Sequence, residues 1–102
     1  MKILPYPISF EWDEGNIDKN LLKHNVTSKE AEEVFDNDLK FIVEDELHSL
    51  DEKRYMMWGV TKEKRKLSIF FTIRKSKIRI ISARDQNKKE RRFYEEKIKV
   101  DS

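Results

Sequence analysis

The chain has 102 residues, enough for one domain (1–102) with a modest core. Charged residues make up 41% and hydrophobic ones 37%, and the apolar residues fall in periodic runs, which excludes a disordered chain and leaves a folded domain with a strongly charged surface. Cysteine is absent, which excludes disulfides, thiolate chemistry and Cys-based metal sites; no apolar run approaches the ~20 residues of a membrane span, and "MKILPYPISF" is too short and too broken by proline for a secretory signal, so a cytoplasmic protein is expected.

The net charge of +2 conceals an asymmetry. Residues 1–52 hold 5 Lys/Arg and 14 Asp/Glu, net −9, and residues 53–102 hold 17 and 6, net +11. A basic half of this size suits a nucleic acid, or the two halves attract each other within the fold.

In chain order, residues 1–9 form an extension with no evident role. "FEWD" (Phe10–Asp13) reads as a short strand or turn feeding a helix capped by Asp13, with Ile17, Leu21 and Leu22 at helical spacing and an end near His24. Asn25 can then take the left-handed conformation of a helix stop. Thr27 and Glu30 have capping-box spacing, with Val26 and Ala31 placed for a hydrophobic staple. The helix they open carries Ala31, Val34 and Phe35 on one stripe and stops at Asp36–Asp38. Four strands follow: Leu39–Asp45, Arg54–Val60, Lys66–Ile73 and Lys77–Arg84, the last three joined by hairpin-length links. In the third, Leu67, Ile69, Phe71 and Ile73 alternate onto one face. Asn87 caps a final helix, with Glu90 at the capping-box position and Phe93, Tyr94 and Ile98 expected inward. The order predicts an α+β domain: a compact antiparallel sheet of about four strands, two N-terminal helices and one C-terminal helix.

Cations gather at the links and at the strand–helix junction. Lys62, Lys64, Arg65 and Lys66 lie in or beside one link, Arg74, Lys75 and Lys77 at the next, Arg79 and Arg84 in the last strand, and Lys88, Lys89, Arg91 and Arg92 at the start of the final helix. Cations at a helix N-terminus oppose the macrodipole, whereas the free N–H groups there suit a phosphate. Arg84 and Arg91 are therefore the candidates to meet a phosphate through forked donors, with Lys64, Arg65, Lys66, Arg74, Lys77, Arg79 and Lys88 as wider nucleic-acid contacts. In a regular strand Arg79 faces away from Arg84, and only a bulge brings both to one side. Tyr94 shares a helix face with Arg91, and is either core or adjacent to that site. His48, in a polar loop with Ser49, has the chemistry of a general base, while His24 suits a helix C-terminus. Glu90 is either a cap or a proton-transfer group. Two isolated histidines provide no metal-ligand spacing, and neither a metal nor a cofactor is expected.

These segments resemble one family. "FEWDEGNIDKNLLKHNV", "EEVFDND", "DELHS", "DEKRY" and "RIISARDQNKKERRFYEE" are similar, in this order, to the motifs of BrnT-type toxins, over roughly Phe10 to Ile98. Asn25 stands where the family usually has glycine, and asparagine tolerates the same backbone. The resemblance implies a RelE-like fold and a type II toxin–antitoxin module. Its toxin cleaves RNA and blocks translation; a BrnA-like antitoxin neutralises it and carries the contact with operator DNA. The alternative is a non-catalytic nucleic-acid-binding or protein-interaction module with a basic face.

Overall fold

A computed structural model describes residues 3–18, 23–49 and 51–101, without the side chains of 48, 100 and 101. Helix α1 (Ser28–Asp36) precedes an antiparallel sheet of β1 (Phe41–Glu44), β2 (Arg54–Val60), β3 (Lys66–Arg74) and β4 (Lys77–Asp85) in the spatial order β1-β2-β3-β4, and helix α2 (Lys88–Asp101) follows it. This is an α+β arrangement, with one correction to the expected elements. Among the described residues one helix precedes the sheet, not two. Of the expected first helix, from the Asp13 cap to about His24, 14–18 are turn, 19–22 lie outside the described residues, and 23–24 are helical.

Local chemistry explains the boundaries. Thr27 Oγ1 accepts from the Glu30 N–H at 3.0 Å and Glu30 Oε1 accepts from the Thr27 N–H at 3.0 Å, a reciprocal capping box at the start of α1. Asn25 has φ 55, as the helix-stop reading requires. Lys75 and Ser76, both at positive φ, make the two-residue turn between Arg74 and Lys77, the geometry that matches strand twist.

The core lies between α1 and one sheet face. Ala31, Val34 and Phe35 of α1 are buried against a face carrying Met57, Leu67, Ile69, Phe71, Ile78, Ile80 and Ala83. Fully burying side chains of this size stabilises by ~1.5–3 kcal/mol each. Phe35 meets Phe10 and Phe71 edge-on, each at 5.2 Å between centroids. The N-terminal segment is integrated too. Leu4 is buried, and Ser9 and Glu11 exchange backbone hydrogen bonds with Ile78, so Phe10 pairs in parallel beside β4.

Helix α2 crosses the opposite face. Tyr94 packs edge-on against Phe41, Phe93 against Trp58 at 5.0 Å, and Ile98 is half-buried. Phe93 was expected inward, but 44% of it is exposed, because α2 covers only one end of this face. Val43, Met56 and Phe70, each opposite the next across the strands, lie on the remainder. Val43 is exposed; Met56 and Phe70 are half-buried.

Candidate nucleic-acid interface at the strand–helix junction

The bulge that the sequence left open is present. Phe70 pairs with Ser82 but Phe71 with Ile80, so β4 carries one extra residue, Ile81. The extra residue reverses the alternation. Arg84 opposite Ser68 and Arg79 opposite Thr72 therefore project on the same side of the sheet, with the Phe70–Ser82 pair between them.

Arg84 is held by a carboxylate. Its guanidinium donates to Glu90 Oε1 at 2.7 Å and Oε2 at 3.1 Å, and to the Asp85 carbonyl at 3.2 Å, while lying 5.5 Å from the Phe70 ring centroid. Glu90 also completes the cap of α2: its Oε1 accepts from the Asn87 N–H at 2.9 Å, and its own N–H donates to Asn87 Oδ1 at 2.8 Å. Burial pushes the Glu90 carboxyl up. The Arg84 fork, the Asn87 N–H and the nearby Ser68 hydroxyl together outweigh it and bring the group down to about 2. Ser68 Oγ lies buried beside this pair without full hydrogen-bond geometry to any group.

Around the helix start, Lys88, Lys89, Arg91 and Arg92 are exposed, and Lys88, Lys89 and Arg92 engage no carboxylate among the described residues. Asp85 and Glu95 are held below the usual carboxylate range chiefly by hydrogen bonds from Arg65 and Lys66 respectively, with the charge of nearby Arg91 adding to both.

The remaining candidates divide. Arg65 is tied into the fold: it donates to Asp85 at 2.7 and 3.0 Å, to Glu30 at 3.1 Å, and to the carbonyls of Asn25 and His24. The hydrogen bonds to Asp85, and secondarily those to Glu30, raise its pKa further. Arg79 clasps Glu11 and Asp13, and Arg74 clasps Glu52 at 2.7 and 2.9 Å. Lys77 is exposed beside the hairpin turn. Lys64, at φ 65, and Lys66, bonded to Glu95, border a cleft on one flank of α2. Tyr94 lies in the core, its hydroxyl donating to the Leu39 carbonyl at 2.5 Å and its pKa raised by burial. His48 closes a short 3₁₀ turn, Glu46–His48; its side chain lies outside the description. Among the described residues no group of three or more His, Asp or Glu is arranged to hold a metal ion.

Sequence reasoning missed the surface beside Arg84. Phe70, Trp58 and Phe93 border the uncovered sheet face, with Trp58 and Phe93 packed on each other. The signal was the other half of the β3 alternation: Ser68, Phe70 and Thr72 face opposite to Leu67, Ile69 and Phe71.

Fold and site define a small α+β protein with a cation-rich strand–helix junction beside a partly uncovered sheet. The family described as ribonuclease toxin, BrnT, of type II toxin–antitoxin systems matches residues 12–90, and the chain belongs to that family. No protein of curated function matches the chain. Membership supports a toxin with ribonuclease activity at the level of the family, and an antitoxin as partner.

Proposed function

We propose that this chain acts in the cytoplasm as a metal-independent endoribonuclease, that it blocks translation, and that a BrnA-like antitoxin neutralises it and supplies any contact with operator DNA. The observation that carries the reading is the cluster Lys88, Lys89, Arg91 and Arg92 at the start of α2, one strand end away from Arg84. Those charges oppose the macrodipole, and Lys88, Lys89 and Arg92 engage no carboxylate among the described residues.

In this reading the RNA 2′-oxygen attacks the adjacent phosphorus as its proton leaves to a base. A bond from 2′-oxygen to phosphorus forms, the bond from phosphorus to the 5′-oxygen breaks, and the departing oxygen takes up a proton. Arg84 and Arg91 stabilise the charge on the phosphoryl oxygens, the contribution that is usually largest. Glu90, held near 2, is ionised at neutral pH and serves to orient Arg84 rather than to donate a proton. The buried Tyr94 supports α2 from beneath. His48 is the proposed proton-transfer group on its chemistry. A phosphate reaches the Arg84 fork by sharing or displacing Glu90.

That same Arg84–Glu90 pairing favours a second reading, a nucleic-acid-binding module in which Arg84 is structural. Incubating the purified chain with RNA in EDTA separates the two. Fragments with 2′,3′-cyclic ends support cleavage without a metal. Retarded but intact RNA, with or without magnesium, leaves the binding module.

A further inference from the structure

On the flank of α2 away from Phe93, a cleft of about 540 Å³ opens between that helix and the link from β2 to β3. Leu39, Val60 and Ile98 supply its apolar part, and Lys62, Lys64 and Lys99 stand around it. Leu39 is 47% exposed although the chain buries comparable residues elsewhere. Lys99 has a structural reason to be in the last turn of a helix, where a cation complements the macrodipole. Lys62 and Lys64 do not, since they project from a hairpin link.

We propose that this cleft seats an acidic, apolar segment of the protein partner: an apolar side chain enters between Leu39 and Ile98, and flanking carboxylates meet Lys62 and Lys64. The inference rests on the reading of this chain as one half of a toxin–antitoxin pair. Three observations favour a protein segment over RNA. The volume and apolar lining suit side-chain insertion, as in other concave sites. The one aromatic residue at the cleft, Tyr94, is fully buried with its hydroxyl committed to Leu39, so no ring face is open for a base to stack on. And Glu95, the acid at the cleft edge, is already paired with Lys66 Nζ at 2.5 Å, which leaves Lys62 and Lys64 to set the charge an incoming segment meets. With Lys62 and Lys64 beyond that pair, the charge is complementary to an acidic peptide.

The test is fluorescence anisotropy of the full chain with three labelled probes: a short peptide of Leu and Glu at helical spacing, the same peptide with Lys for Glu, and a short single-stranded RNA. The acidic peptide is expected to bind and the basic one not to. Lys62→Glu is expected to weaken the acidic peptide by roughly tenfold, as reversal of a rim charge facing carboxylates does. Leu39→Ser is expected to weaken it as well, while RNA binding changes less in both variants. Equal binding of both peptides, or no response to either variant, overturns the proposal. So does a loss confined to RNA, which gives the cleft to the nucleic acid. Sedimentation of the chain alone covers the remaining occupant: a self-association that Lys62→Glu abolishes means that a second copy fills the cleft, and overturns the proposal. Cleavage of RNA by the parent chain is scored separately, so an inactive nuclease is not confused with an empty cleft.

Discussion

Glu90 has two tasks that pull on one another. As the partner of Asn87 it caps α2, and as the partner of Arg84 it fills the fork offered to a phosphate. Arg84→Ala is expected to lower RNA cleavage by ~10²–10³-fold, the scale of losing one transition-state donor. Because Glu90 is then left largely buried without its counter-charge, stability should also fall by about 1–3 kcal/mol. Arg84→Lys should recover part of the activity, since a point charge lacks the fork. Glu90→Gln provides the contrast: stability falls, and because Arg84 keeps its charge but loses the carboxylate that orients it, cleavage falls by less than in Arg84→Ala. The pH dependence follows from the lowered carboxyl. A group whose folded value is about 2, below its ordinary 4.5, contributes fully above the ordinary value and loses that contribution as pH falls toward 2. Urea unfolding of the parent between pH 5 and pH 2 should therefore show a loss from this group of up to about 3 kcal/mol, and Glu90→Gln should remove it.

At the scale of elements, α1 packs close against β2 at Gly59. A Cβ built on Gly59 would lie 2.4 Å from Val34 Cγ1, so the helix rests directly on the strand backbone. Gly59→Ala is expected to destabilise by ~1–3 kcal/mol through overpacking, and adding Val34→Ala should return part of it, measured by thermal unfolding of both variants. This contact was not legible in the sequence, where Gly59 reads only as an interruption in a strand. The elements themselves were legible, because their signals are local: Thr27 with Glu30, Asn87 with Glu90, and the alternation from Leu67 to Ile73 mark two helix starts and a buried strand. The arrangement around Arg84 was only half legible. Its place near a strand end before a helix follows from spacing. The bulge at Ile81 that turns Arg79 to the same side does not, because it depends on pairing with β3. Nor did spacing show that Arg65 is tied to Asp85 and Glu30, residues 20 and 35 positions away.

Across the whole molecule, the two charge readings are both realised, in different places. Acids of the first half clasp bases of the second: Glu11 and Asp13 hold Arg79, Glu30 holds Arg65, and Glu52 holds Arg74. This is the mutual attraction of the halves, and it neutralises Arg74 and Arg79 toward the hairpin end of β3 and β4 and Arg65 at the other end. The start of α2 is different, since Lys88, Lys89 and Arg92 face solvent without carboxylate partners among the described residues. If RNA tracks along that end, those cations displace counterions on binding and the paired arginines do not. Each phosphate contact on a single strand contributes a slope of about −0.7 in log affinity against log salt. Replacing Lys88, Lys89 and Arg92 together by Gln should therefore flatten the salt dependence of RNA binding by roughly 2 units of slope. Arg74→Gln, which removes a cation already shared with Glu52, should leave the slope near that of the parent. The measurement is RNA affinity at several salt concentrations for the parent and both variants. A slope that responds to Arg74 and not to the helix cluster would move the RNA path to the β3–β4 hairpin and away from Arg84.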